Sequence, residues 1–541
     1  MKEFTSVLAP VTRAFAGTPV RPSYFWISCR MSPSKPTSSQ TILKNSFWYG
    51  LETVIEIVVF TSSSIAVARY LGPSKLGYFS FINFFVSILT RTAGQGVSLA
   101  TRKYMTEYLA LGRPGTARAV YNLAWRYQFM ISAAISLVSI LVVVVHGDPT
   151  FRWMAVILLA SIIPGLMSWV PAQANSSFED IRPNTISAFG YLFSYAVLIT
   201  LTVWLHWDLI GVASATFVAR TVEVVIRTGP VSRRLRTMPL DTLEPELVAR
   251  IRRFCLQGVW LQLLTTVVWD RSELLFLRHF SSLEQTAFYS VSFTFTSSML
   301  TVARVFSNSV SLTLMGEASR SYEKVRGIVW NSSRFLMLLT MPISVGAAAV
   351  TYSGIHVAYG MRYLPAVPVM MTAVLLGIPR AFQILPETLL RAADRQNTIL
   401  LWYAITGAVN GLLDWALIPQ YAAMGAAWGN GLAQIFGVIV IWIAADRIFQ
   451  IRFPWTTAVR IGISSLVMAI PAYFVSHHVP GVPGFVCGIL AGCVAYPLAL
   501  RLFRALAPTD RGYLELLTSR APGALASALR AVVSFVTPAT V

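Results

Sequence analysis

Runs of about 20 consecutive apolar residues recur along almost the whole of this 541-residue chain, and that feature decides what solvates it. A run of that length crosses a hydrocarbon core as a helix, because only a helix satisfies every backbone polar group within its own segment. Fourteen such runs can be drawn between residues 47 and 504. With 55% hydrophobic against 12% charged residues and a mean hydropathy of +0.61, a soluble globule is excluded. The expected fold class is an all-α membrane protein with about 14 transmembrane helices, arranged as two pseudo-symmetric six-helix lobes plus two extra C-terminal helices.

Basic residues resist translocation, so their distribution over alternate loops orients the chain. With the N-terminus inside, the inner side collects 31 of the 43 Lys and Arg, and the outer loops only five: Arg69, Lys75, Arg152, Arg278 and Arg362. Both termini are therefore expected in the cytoplasm. The formal charge of +20 is accounted for by this topology and by attraction to anionic membrane lipids. No nucleic-acid partner is expected, since no polar stretch is long enough to carry a basic patch on a water-exposed domain. Cys29, Cys255, Cys487 and Cys493 lack the spacing of a disulfide framework or a metal knuckle, and no nucleotide-binding loop appears, so neither a cofactor nor a metal is expected.

Compared with itself at an offset near 210 residues, the chain repeats weakly. GVASATFVARTVEVVI from Gly211 aligns without gaps with GAAWGNGLAQIFGVIV from Gly425, and Arg91 then corresponds to Arg304. Arg118 and Arg126 are eight residues apart, as are Arg326 and Arg334. Duplication of a six-span unit is the mark of many transporters. It divides the chain into an N-lobe (46–228), a basic cytoplasmic linker (229–253), a C-lobe (254–446), two further spans (447–505) and a cytoplasmic tail (506–541). Residues 1–45 are Pro-, Ser- and Arg-rich and read as a disordered extension, with Met31 an alternative start. In the tail, 524–536 places Leu525, Leu529, Val532 and Val536 on one face of an interfacial helix.

A charge at mid-bilayer costs at least about 2.5 to 3.5 kcal/mol, so it faces a partner or a wet cavity. Arg91, Arg126, Arg220, Arg304 and Arg334 lie about eight residues from the inner ends of their spans, roughly 12 Å deep at the rise of an α-helix. Arg220 has Glu223 one turn away and reads as a local ion pair. The other four form a candidate collar for an anion, since Arg offers phosphate a planar, bidentate donor fork. Arg126 also fits a snorkelling position, and both readings stay open. Glu52 and Glu56 share a face of span 1, and Glu56 is level with Arg91; pairing with that arginine and carriage of a coupling proton or cation are both open. Asp270 and Glu273 lie toward the outer end of span 7, as a gate salt bridge or at the interface. Asp414, near an outer end, reads as solvated. Prolines 164, 171, 342, 365, 368 and 379 supply kinks.

The segment LKNSFWYG, running into ARYLGPSKLGYFSF, resembles the opening of the polysaccharide and O-antigen flippases of the multidrug, oligosaccharidyl-lipid and polysaccharide (MOP) exporter superfamily. The family's pattern falls on Ala68, Arg69, Leu71, Gly72, Pro73 and Gly77. WDRSELLFLRHFSSLEQTAFYS and YAAMGAAWGNGLAQ extend the likeness, which covers roughly residues 41–505. It implies an alternating-access flippase of the bacterial inner membrane that moves polyprenyl-diphosphate-linked oligosaccharide to the outer leaflet, working with membrane lipids and beside polysaccharide polymerase machinery. It carries a diphosphate-binding role onto Arg91 and Arg304. Two alternatives are a cation-coupled small-molecule exporter of the same superfamily and a membrane glycosyltransferase or polymerase. The short outer loops leave the last little room for catalytic groups.

Overall fold

The computed structural model describes residues 39–269, 272–318, 321–393, 395–506, 530, 531 and 533–537. The side chains of 39–60 and of several residues between 257 and 271 also lie outside the described set. Fourteen membrane-length helices follow the sequence spans. Helix Ser39–Ala110 turns at Gly72, whose φ of 72° suits glycine, and so forms α1 (39–71) and α2 (73–110). The N-lobe continues with α3 (Pro114–His146), α4 (Arg152–Ser177), α5 (Arg182–Trp204) and α6 (Asp208–Arg236). The C-lobe holds α7 (Pro245–Trp269, resuming as Glu273–Phe280), α8 (Leu283–Ala318), α9 (Tyr322–Ala358) and α10 (Ala366–Ala392). Helix Gln396–Phe449 reverses at Ala422 into α11 (396–421) and α12 (423–449). The last two spans, α13 (Trp455–His478) and α14 (Gly481–Leu502), pack on each other and on α9.

The fourth helix of each half is broken in the same way. α4 is interrupted at Ser161 and Ser168 beside Pro164 and Pro171, and α10 between Gly377 and Gln383 beside Pro379 and Pro386. Proline removes a backbone donor and clashes with the preceding turn. Pro342, by contrast, is accommodated inside a continuous α9.

One expected boundary is corrected, and the secondary structure of the linker is added. The helical structure begins at Ser39, inside the stretch expected to be disordered, while 1–38 lies outside the described residues. The basic linker is mostly helix, since α6 runs to Arg236 and α7 starts at Pro245. In the tail, Val533 and Val536 are buried, Val536 in one cluster with Leu500, Ala505 and Leu506, and Arg501 lies over the Phe535 ring at 4.4 Å. Leu525, Leu529 and Val532 of the expected interfacial face lie outside the described residues.

Among the described residues nine helices are long and apolar enough to cross a membrane by composition alone. The first two helices of each half, α1 with α2 and α7 with α8, are not among them. α2 carries Ser80, Asn83, Ser87, Thr90, Arg91, Thr92 and Gln95, and α8 carries Ser290, Ser292, Thr294, Thr296, Ser297, Ser298, Thr301 and Arg304. These two helices, each second in its half, meet at the seam between the lobes. Polar side chains gather where the bundle has an interior to shelter them from lipid.

Candidate functional site

One end of the seam is built by the α1–α2 corner. A Cβ on Gly77 would sit 1.8 Å from the Leu283 carbonyl oxygen, so α2 and α8 touch backbone to backbone there. Around this contact, the Tyr363 hydroxyl donates to the Ala68 carbonyl at 2.9 Å, Ser74 Oγ donates to Glu284 at 3.0 Å, and the Arg69 guanidinium donates to the Val357 carbonyl. The motif Ala68, Arg69, Leu71, Gly72, Pro73 and Gly77 therefore forms a closure between the lobes at this end. At the opposite end α2 meets α7, where Gly96 faces Cys255 and Gly258, and the Tyr104 and Phe254 rings stand edge to face at 6.0 Å under Lys103. The lobes touch at both ends.

Of the expected collar, Arg91 is exposed on α2 and Arg304 exposed on α8, where its Nη2 donates to Thr301 Oγ1 at 2.7 Å. Both belong to the two polar seam helices. Arg126 lies on α3 in a stripe with Phe129, Met130, Leu137 and Leu141, all exposed, the face this helix turns outward. Arg334 is half-buried on α9. Glu52 and Glu56 lie on the α1 backbone with their side chains outside the described set, and Asp270 lies outside the described residues.

Inside the N-lobe, Arg220 makes the expected ion pair with Glu223 at 3.0 Å. The other Glu223 oxygen takes Arg227 Nη2 at 3.0 Å, and Arg227 Nε donates to Ser187 Oγ at 2.8 Å. Arg227 is only 8% exposed. Its position, one turn beyond Glu223, is the signal that sequence reading missed. This acid sits between two cations and is fully engaged.

The C-lobe holds the opposite arrangement. Glu273 and Asp414 are both 0% exposed. Tyr289 donates to Glu273 Oε2 at 2.8 Å, Asn430 donates to Oε1, and Asn410 Nδ2 lies 3.2 Å from Glu273 Oε1 and from Asp414 Oδ2. These groups come from four helices, α7, α8, α11 and α12. A Cβ on Gly429 would fall 2.5 Å from Asp414 Oδ1, so the carboxylate lies directly against α12. Two expectations are corrected here. Asp414 is sealed from solvent because α12 packs over it, and Glu273 is neither interfacial nor part of any salt bridge among the described residues. A usable signal was present: Asn410 with Asp414 and Asn430 with Gln434 are i, i+4 polar pairs in otherwise apolar spans.

Asp414 Oδ1 and Asn410 Oδ1 are buried and accept no hydrogen bond. A shared proton would serve the carboxylates and leave the amide oxygen bare, whereas a small hard cation would serve both. The groups turned toward one another here are two carboxylates, two side-chain amides and a phenol, a set rich in oxygen donors of the kind hard cations take.

The profile of the polysaccharide biosynthesis protein family matches residues 66–368, more than half of the chain. The chain belongs to that family. The matched region of this polysaccharide biosynthesis protein contains the seam motif, both seam arginines and Glu273. Its fold is that of the MOP transporters. The lipid II flippase MurJ in an inward closed conformation superposes with a TM-score of 0.69 at 13% identity, covering 85% of this chain and 98% of that one. An inward-facing multidrug resistance MATE transporter of the MOP superfamily gives 0.63 at 12% identity, covering 74% and 98%. A MOP superfamily transporter from Pyrococcus furiosus, described as having a binding pocket of reversed polarity, gives 0.56 at 13% identity, covering 75% and 96%. No curated protein matches the chain closely enough to count as a relative.

Proposed function

We propose that this polysaccharide biosynthesis protein is an alternating-access flippase that carries polyprenyl-diphosphate-linked oligosaccharide from the cytoplasmic to the outer leaflet, with both termini in the cytoplasm. It is a multi-pass membrane transporter and performs no covalent chemistry. The observation that carries the reading is the placement of Arg91 and Arg304 on the two polar helices that form the seam. A cavity opening between them presents one guanidinium from each lobe to a diphosphate, while the isoprenoid stays in lipid. Arg334 supports the same charge from within the C-lobe, and Arg126 meets lipid headgroups at the membrane edge by snorkelling. Glu56 and Glu52 of the first span, and Asp270 of the seventh, are assigned to the gating of that cavity. Inward binding of a sodium-sized cation at Glu273 and Asp414 supplies the driving force.

A second reading, export of a small molecule coupled to a cation, is favoured by that carboxylate pocket alone. The two readings part on the arginines, which a cationic drug would not need. The test is leaflet-specific labelling of lipid-linked oligosaccharide in cells whose only copy carries Arg91→Ala with Arg304→Ala. Accumulation on the inner leaflet with normal protein levels is the expected result. Unchanged surface glycan together with lost drug efflux would favour the second reading.

A further inference from the structure

Five basic residues stand in the loops that are otherwise poor in charge, Arg69, Lys75, Arg152, Arg278 and Arg362, and the fold gathers all five around one segment, residues 69–78 at the α1–α2 corner. Arg69 and Lys75 belong to that segment. Arg152 opens α4 directly after Phe151, whose ring stacks on Tyr78 at 4.3 Å. Arg278, from the second part of α7, stands 6.0 Å over the same Tyr78 ring. Arg362, in the 3-10 turn before α10, places Nη1 3.7 Å from the point that a Cβ on Gly72 would occupy. Three of these cations come from the N-lobe, and the two from the C-lobe reach over the N-lobe corner.

The acids of this end do not balance them. Asp208 is taken by Lys75, Glu284 accepts from Ser74 at 3.0 Å, and Asp148 accepts from the Thr150 amide at 2.9 Å. The Arg69 guanidinium completes the last turn of α9 through the Val357 carbonyl, a bond that cancels no charge. Arg278 and Arg362 are exposed and form no ion pair among the described residues, and Arg152 Nε is buried with no hydrogen-bond partner. Like charges crowded at a closing interface oppose its closure until an anion enters.

We infer that this end of the seam is a phosphate-binding site, in which Arg278 and Arg362 of the C-lobe and Arg69 and Arg152 of the N-lobe hold a diphosphate across the closed corner. Guanidinium forks grip phosphate oxygens in pairs, and a diphosphate has oxygens enough for donors from two bodies. Taking that diphosphate to be the cargo's own rests on the flippase reading. With this end facing away from the cytoplasm, the headgroup passes here from Arg91 and Arg304, and the same anion draws the lobes together behind the cargo. A phospholipid phosphate offers the same donors the same chemistry, and the test separates the two sources.

The probe is inorganic pyrophosphate, which carries the diphosphate oxygens without lipid or sugar. It replaces chloride at constant potassium and ionic strength, with the full chain in detergent, and melting temperature gives its affinity. A second readout is cross-linking of Ser74→Cys with Glu284→Cys, which reports closure of the corner. Wild type is expected to show saturable stabilisation and rising cross-linking. Arg278→Gln with Arg362→Gln is expected to bind about tenfold more weakly and to lose the cross-linking response, with the corresponding pair of lysine substitutions in between. Arg91→Ala with Arg304→Ala is expected to keep that response. A purely structural role for Arg278 and Arg362 would lower cross-linking without changing how it responds to pyrophosphate, and that result, or a wild type that responds to pyrophosphate in neither readout, overturns the site. Loss of the response in Arg91→Ala with Arg304→Ala alone would place the anion at the seam arginines, so that the inference fails while the flippase reading stands. In nanodiscs, cross-linking raised as far by phosphatidylglycerol over phosphatidylcholine, with no further rise on adding pyrophosphate, would make the ligand a bilayer phospholipid and overturn the cargo assignment. A pyrophosphate response lost with Arg278 and Arg362, beside unchanged leaflet labelling in Arg91→Ala with Arg304→Ala, would uphold the site and remove the flippase reading.

Discussion

The two lobes repeat one helical design and bury opposite electrostatics. In the N-lobe, Glu223 is held between Arg220 and Arg227. In the C-lobe, Glu273 and Asp414 lie buried with amides and a phenol, and with no basic side chain bonded to either among the described residues. The repeat alignment that matches Gly211 with Gly425 sets Arg220 against Gln434 and Glu223 against Gly437, so the positions that neutralise one lobe are neutral in the other. One lobe is electrically complete as folded; the other is complete only with a guest. On the proposed reading, that division would give the N-lobe the part of a rigid body and the C-lobe the part that senses the driving ion.

The comparison breaks most readily at Glu223. Glu223→Gln leaves Arg227 buried without its acid, and is expected to lower stability by about 3 to 5 kcal/mol, seen as a large fall in detergent melting temperature. A fall of a few tenths would mean the pair is solvated and the contrast is false. Asp414→Asn should act in the opposite direction: removing one of two neighbouring buried acids is expected to stabilise the sodium-free protein by about 1 to 3 kcal/mol while erasing its response to sodium. Destabilisation there would show that the C-lobe acids are already neutralised by the fold.

Smaller effects sharpen the picture at the seam. Tyr363→Phe removes the hydroxyl that bonds the Ala68 carbonyl. It should favour opening of the seam at this end by about 0.5 to 1.5 kcal/mol, a few-fold change in cross-linking between cysteines placed at Ser74 and Glu284. Equal cross-linking would remove that bond from the gate. Arg126→Gln is expected to shift stability by less than about 0.5 kcal/mol and to leave glycan export intact. A loss as deep as that of Arg91→Ala with Arg304→Ala would return Arg126 to the substrate path.

Much of the fold was legible because a membrane span is a local property. About 20 apolar residues announce themselves without knowledge of their neighbours, and Pro164, Pro171 and Pro379 fall at helix breaks for equally local reasons. Arg220 with Glu223 was legible because the partners are one turn apart. The carboxylate pocket was not, since Glu273 and Asp414 are 141 positions apart in the chain and become neighbours only when α7, α11 and α12 pack. Asp414 near a helix end looked like a residue in water; burial came from Gly429 on the next helix, whose missing side chain leaves the space the carboxylate occupies. The polar lining of α2 and α8 lay between these cases, visible in composition yet meaningful only once both helices were seen to share the seam.

The closure at Gly77 and Leu283 has an electrical consequence. Main chain pressed against main chain at that point leaves no room for a water molecule between α2 and α8, and so no link there in a file along which protons could hop. For the flippase proposed above, such a contact would help the protein handle a bulky headgroup without short-circuiting the voltage across the membrane.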